Sequence, residues 1–299
     1  MPTMSTSIKP NQLVWITDPH VNFASHFALA NFIDTVNRAE PLAVVITGDI
    51  AESGNVSDAM FLFDEAMSCP VYFVLGNHDI YDSSVGYMKE QMKKLFGSNG
   101  KSKKTLWIPG YDDNDGVVEV APGVGLIGHD GWYDGRYSSV HNSKLKMSDF
   151  HTVSEMAHCY DYTQLAACLA ELAYESAEYT LRTLPVAFEK FNTVFFITHV
   201  PAWPENAVYQ GKVSDQHWLP YFSNRHLGDS LLKVMSKQPS NKKLIVLQGH
   251  SHGYAYHQPL HNIHSYTGFA QYKHPSICGT FGLHNAGIDA HLIQNAVKR

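Results

Sequence analysis

Five short polar clusters hold the side chains best suited to chemistry: Asp18-Pro19-His20, Gly48-Asp49, Gly76-Asn77-His78-Asp79, His199, and Gly249-His250-Ser251-His252. Carboxylate, carboxamide and imidazole groups are the oxygen and nitrogen donors that divalent cations take. Brought together, two carboxylates, a carboxamide and four or five imidazoles would be costly to bury without partners. Metal ions would satisfy them. Singly, Asp-Pro-His is a common turn and Gly-Asp carries almost no information, while Gly-Asn-His-Asp and Gly-His-Ser-His directly after a buried strand are moderately specific. Their weight lies in their placement, since each closes a short apolar run.

Those runs are Leu13 to Thr17, Leu42 to Thr47, Val71 to Leu75, Val194 to Thr198 and Leu244 to Leu247. Their length and β-branched or aromatic content predict strands buried on both faces. A helical pattern from Phe23 to Arg38 separates the first two. A second helix, with Ser57 as its expected N-cap and Met60, Phe63 and Met67 on one face, separates the second and third. The alternation is βαβαβ, which argues for a layered α/β sheet whose strand ends face one crevice. Alternate residues of an extended segment point the same way, so Asp18 with His20, and His250 with His252, can each offer two donors from one strand end. Pro19 biases Asp18 toward extended backbone. Gly48, Gly76 and Gly249 permit a sharp exit and close packing.

Between the third and fourth runs the pattern predicts a helix near Val85 to Phe96, a polar turn from Ser98 to Lys104, and short strands at Val117 to Val120 and Gly125 to Gly128. A helical stretch follows from about Tyr162 to Phe191, with one buried face through Leu165, Leu169, Leu172, Leu181, Leu184 and Phe188. Pro185 is expected to kink or break it. This region, about 98–192, reads as an elaborated insertion in a single domain spanning 1–299, because the strand runs on either side look like parts of one sheet. Asn224 caps a helix from Arg225 to Lys237. The tail from Tyr254 to Leu283 reads as two or three antiparallel strands that could build a second sheet.

Composition narrows the function classes. Histidine fills 18 of 299 positions, and the formal charge is −6, so the chain lacks the basic field that drives non-specific binding to duplex nucleic acid. The cysteines Cys69, Cys159, Cys168 and Cys278 have neither zinc-ribbon nor disulfide-scaffold spacing and read as small core residues. From Met1 to Leu13 no apolar leader is visible, and no run is long enough to span a membrane. A soluble, cytoplasmic setting is expected, with no membrane partner.

The ordered set D-x-H, G-D, G-N-H-D, H and G-H-x-H, from about Leu13 to His252, resembles the calcineurin-like metallophosphoesterase superfamily. Within it the chain is most similar to the poorly characterised bacterial phosphodiesterase-like branches. The resemblance implies a four-layer α-β-β-α sandwich of two mixed sheets flanked by helices, with a helix-rich insertion. It also implies two divalent metal ions, of which manganese, iron and zinc all suit the donors. Asp18, His20 and His252 would hold one metal, Asn77, His199 and His250 the other, and Asp49 would bridge them. Metal-bridging hydroxide would attack the phosphate ester directly, with no phosphoenzyme. His78, oriented by Asp79 through its second ring nitrogen, would aid the leaving group.

No arginine follows Gly48-Asp49 or the Asn77-His78 pair, as it does in the protein Ser/Thr phosphatases of that superfamily. The expected substrate is therefore a small phosphate ester, nucleotide-like or other, with a diester favoured. A phosphomonoesterase, a nuclease and a non-catalytic interaction module are the competing readings. Substrate contacts are expected from His129, Asp130, Trp132 and Arg136 in one loop and from Trp203 and His217 in another, with Trp132, Trp203 or Trp218 stacking on a base and Arg136 clamping phosphate. The sequence leaves the oligomeric state open.

Overall fold

Runs dense in valine, isoleucine and phenylalanine form strands covered on both faces, and Gln12–Ile16 (β1) and Ala43–Thr47 (β2) are buried at every position. The computed structural model describes residues 11–143, 145–284 and 287–292; most of the segment read as leaderless lies outside them. In chain order the other strands are Val71–Val74 (β3), Thr105–Trp107 (β4), Val118–Ala121 (β5), Val124–Gly128 (β6), Thr193–Ile197 (β7), Val208–Tyr209 (β8) and Lys212–Val213 (β9). Then come Lys243–Gln248 (β10), Ala255–Leu260 (β11), Ile263–Thr267 (β12), Gly279–His284 (β13) and Gly287–Leu292 (β14). The helices are His26–Arg38 (α1), Ser53–Ala66 (α2), Val85–Phe96 (α3), Asp149–Thr152 (α4), Ser154–Ala157 (α5), Tyr162–Lys190 (α6), Leu219–Phe222 (α7) and Arg225–Met235 (α8).

Two six-stranded mixed sheets result, ordered β14-β13-β1-β2-β3-β4 and β11-β12-β10-β7-β6-β5. Alternation along each strand sends residues to opposite faces. Leu13, Trp15 and Val45 of the first sheet meet Phe195, Ile197, Ile245 and Leu247 of the second in one buried layer. On the outer face of the first sheet, Val14, Ile16 and Val44 pack on Phe32, Val36, Met60 and Phe63 of α1 and α2. On the outer face of the second, Phe196 and Val246 pack on Leu184, Phe188, Leu227 and Leu231 of α6 and α8. The architecture is helix, sheet, sheet, helix. No helix of the described residues is long and apolar enough to cross a membrane.

This overturns the reading in which all five apolar runs share one sheet. β1, β2 and β3 lie in the first sheet, β7 and β10 in the second. Parallel order within each set is all that hydrophobic periodicity encodes, and both sets satisfy it. The tail divides as well: β11 and β12 extend the second sheet, while β13 pairs antiparallel with β1.

Three local expectations also change. α2 begins at Ser53 with Glu52 as its N-cap, so Ser57 lies inside it. Ala51 N–H donates to Asp79 (2.9 Å) and Ser53 Oγ to the Tyr81 carbonyl (2.5 Å), which fixes the helix start where the chain leaves that loop. α6 runs unbroken through Pro185. The carbonyl that Pro185 deprives of a partner is that of Leu181, an exposed residue, so Leu181 does not join the buried face. Small residues, Ala173, Ser176, Ala177 and Thr180, continue that face instead.

One carboxylate in α2 holds the turn before β4. Asp64 accepts from Ser102 Oγ at 2.6 Å and from the amides of Lys104 and Thr105 at 2.8 and 2.9 Å. Burial raises its pKa, but these donors outweigh that and hold it down at about 2. A depressed carboxylate contributes stability above its unfolded value near 4, and that contribution is lost as pH falls through about 2. Asp64→Ala, which strands those amides, is expected to cost about 2 kcal/mol at pH 7. Denaturant melts should show the difference from wild type shrinking between about pH 4 and pH 2; an equal difference at both pH values would refute the assignment.

Candidate metal centre

All five polar clusters meet at the ends of β1, β2, β3, β7 and β10, across the seam of the two sheets. Two groups of donor atoms form there, Asp18, His20, Asp49 and His252 in one, and Asp49, His199 and His250 in the other. Asp49 belongs to both. Its Oδ2 lies 3.8 Å from His20 Nε2, and its Oδ1 lies 3.3 Å from His199 Nε2. Asn77 Oδ1 stands 3.1 Å from the same His199 nitrogen. Asp18 Oδ1 is 3.1 Å from His252 Nε2, and the Nε2 atoms of His20 and His252 approach to 3.3 Å.

The backbone does not reach this arrangement by strand alternation. Asp18, His20, Asp49, His250 and His252 all have left-handed backbone, with φ of 46°, 40°, 51°, 69° and 57°. Pro19 therefore does not leave Asp18 extended. Such conformations cost about 1–3 kcal/mol each and persist where surroundings over-determine them. Thr17 Oγ1 donates to Asp18 Oδ2 at 2.6 Å, and the His250 amide donates to the same carboxylate. Gly249 lies against this pair: a Cβ there would come within 2.0 Å of Thr17 Oγ1. Gly48, at φ +84°, leaves no room for a Cβ beside His199 Nδ1.

Outer contacts decide which ring nitrogen each histidine presents. His199 Nδ1–H donates to the Thr47 carbonyl and His250 Nε2–H to the Tyr221 carbonyl, each at 2.8 Å. This leaves His199 Nε2 and His250 Nδ1 with lone pairs free, as in many histidine metal ligands. Asn77 Nδ2 donates to the Tyr81 hydroxyl, which donates to Asp149 Oδ2 at 3.0 Å, so the amide oxygen is the end that faces His199. Phe222 stacks on His250 with centroids 4.5 Å apart.

The donor set fits divalent cations. Burial lowers His20 to about 4 and His250 to about 3, which keeps both rings neutral at pH 7. Burial alone would lower His199 too, yet Asp49 and Asp18 raise it to about 10. Burial pushes Asp18 up, but His252 and His199 outweigh it and hold the carboxyl below its usual range. The two carboxylates thus favour positive charge in a pocket where His20 and His250 stay neutral.

The other expected residues are placed differently. Asp79 does not touch His78: its two oxygens accept the amides of Ala51 and Gly76, at 2.9 and 2.8 Å. His78 and Asp79 sit in a one-turn helix, His78–Ile80, where neighbouring side chains diverge. His78 Nδ1 is buried without a partner, and its Nε2 lies 3.4 Å from the Tyr272 hydroxyl. Asp130 accepts from the Leu75 amide and Trp107 Nε1, and its carbonyl accepts the His199 amide, so it ties loops together. His129 Nδ1 accepts the Gly131 amide. Trp132 and Trp203 are buried in the outer cores, Arg136 lies against His226, and the His217 carbonyl accepts from Ser143. Buried tryptophans cannot stack on a base, which corrects that expectation for both; Trp218 is exposed and packs edge-on against Phe222. Tyr272, Tyr81, Asp149 and Phe222 are the site residues that sequence reasoning missed.

Over residues 12–254 the chain matches the family described as calcineurin-like phosphoesterase. Its fold is similar to that of a dimetal phosphatase from Danio rerio, at 15% identity and a TM-score of 0.57, covering 95% of this chain and 99% of that one. It is also similar to the phosphopantetheinyl hydrolase of Mycobacterium tuberculosis, at 11% identity and a TM-score of 0.57, covering 90% and 92%. No curated protein sequence matches it.

Proposed function

Since the chain belongs to the calcineurin-like phosphoesterase family, we propose that it is a binuclear metal-dependent hydrolase of small phosphate esters, with phosphodiesters preferred. The observation that carries this reading is the pair of donor groups sharing Asp49, each oxygen of which faces one group. Asp18, His20, Asp49 and His252 would hold one cation, and Asp49, Asn77, His199 and His250 the other. Bound there, two divalent cations supply activated water and draw charge from the phosphoryl oxygens.

The protein's own residues do the rest. Thr47 O and Tyr221 O hold His199 and His250 in the ligating tautomer, and the Tyr81–Asp149 pair fixes Asn77. His78 lies outside both donor groups, with its Nε2 beside the Tyr272 hydroxyl, and would give a proton to the departing oxygen. The diester preference follows from charge. The charged side chains that bear most on Asp18, His20, Asp49, His199, His250 and His252 are aspartates and histidines, with no lysine or arginine among them. A monoester dianion finds no extra cation there, whereas a diester carries one negative charge.

The test is elemental analysis of the full chain together with a panel of model mono- and diesters, cyclic nucleotides and oligonucleotides over several divalent metals. Two metals per chain and faster diester turnover are expected. A purely monoesterase profile would refute the diester preference, and a chain that binds no metal would refute the proposal as a whole.

A further inference from the structure

Two exposed aromatic side chains stand beside the candidate metal centre. Phe23 follows His20 in the short helix Val21–Phe23 and is 40% exposed; Tyr272, in the segment between β12 and β13, is 41% exposed. Tyr272 lies parallel on His20 at 4.3 Å and 24°, and Phe23 meets the Tyr272 ring edge-on at 5.4 Å and 89°. The segment is tied to the centre by the Ala270 amide, which donates to the His252 carbonyl. The ring is thus braced on one side by a candidate ligand while much of it remains open. Its hydroxyl, 3.4 Å from His78 Nε2, is the one polar partner of that imidazole among the described residues.

We propose that Phe23 and Tyr272 form a stacking wall for the leaving group, and that the preferred substrates are phosphate esters whose leaving group is a flat aromatic or heterocyclic moiety. This rests on the phosphoesterase reading and names the substrate class for it. The wall lies on the leaving-group side because its hydroxyl reaches His78, the residue proposed above to protonate the departing oxygen. A flat group on Tyr272 therefore brings its ester oxygen toward that proton. Stacking tolerates any ring with a π-face, so the wall selects flat leaving groups as a class. The tryptophans first expected to stack are either buried or placed against Phe222 beside His250.

The wall is tested with the metal-loaded full chain, using phenylphosphonate and methylphosphonate as non-hydrolysed probes in calorimetry and matched aryl and alkyl phosphodiesters in turnover. Phenylphosphonate is expected to bind about tenfold tighter than methylphosphonate, in the range of one stacked ring. Tyr272→Phe, which keeps the ring, should preserve that ratio; Tyr272→Leu should bring it near one and raise KM for the aryl ester about tenfold. Phe23→Leu, away from the hydroxyl, provides a second variant and should narrow the ratio as well. Equal binding of the two phosphonates by wild type, or a ratio unchanged in both leucine variants at unchanged metal content, would overturn the wall. Metal binding and hydrolysis of both ester types would still stand in that case, whereas absence of metal or of all hydrolysis would overturn the phosphoesterase reading itself.

Discussion

Asp49→Asn is expected to bind at most one metal per chain after dialysis and to lose at least about 100-fold in kcat/KM, the upper range seen when groups that merely orient ligands are removed. Asp49 presents one oxygen to His20 and the other to His199 and the His78 amide. An asparagine keeps a carbonyl oxygen at one of these places and puts an amide nitrogen, with no lone pair to give, at the other. Half the candidate centre would then lose its shared donor, and both halves would lose a negative charge in a buried site where Asp18 is the other candidate carboxylate ligand. The His78 amide can still be satisfied by the remaining oxygen, so the loop should keep its shape and the variant should fold. Elemental analysis decides the matter: two metals per chain in the variant would show that Asp49 does not join the two groups.

His78→Ala should leave metal content unchanged and lower kcat by about 10²–10⁴-fold on esters with poor leaving groups. The side chain contributes no atom to either donor group, and its backbone amide, which holds Asp49 Oδ1 at 2.9 Å, survives the substitution. A leaving group that departs readily without a proton, such as nitrophenolate, should be cleaved nearly as fast as by wild type. Plotting kcat against leaving-group pKa for both proteins separates the roles. Parallel lines would mean that His78 does not protonate the departing oxygen.

The clusters that build the candidate centre were legible because each one interrupts hydrophobicity at the point where a buried strand must end. What the sequence concealed was geometry at shorter range than a strand. Asp79 follows His78 directly and is expected, from the resemblance, to orient it; within one helical turn the two side chains diverge, and Asp79 goes to the amides of Ala51 and Gly76. Asp18 and His20 looked like alternate positions of an extended chain, yet both adopt left-handed backbone, which no hydropathy pattern reports. Tyr272, Phe222 and Asp149 lie in irregular segments or one-turn helices far along the chain, where no periodicity marks a residue as facing anything. The division into two sheets was hidden for a similar reason: parallel βα units look alike whichever sheet receives them, and the resemblance to a family, rather than the apolar runs, supplied it.

The pairing of β1 bears on when the centre can form. β1 carries Asp18 and His20 at its end, with β2 along one edge and residues 279–282 of β13 along the other. Every candidate ligand has been synthesised by residue 252, but the strand bearing the first two is not enclosed until a segment more than 250 residues downstream arrives. Contacts so distant in sequence form slowly, because a long loop must close before they are rewarded. During vectorial synthesis β1 waits with one edge open while the strands up to β12 are made. The strand that leads into the first two candidate ligands is therefore enclosed only by one of the last two described strands to be made, β13, which β14 then covers in turn.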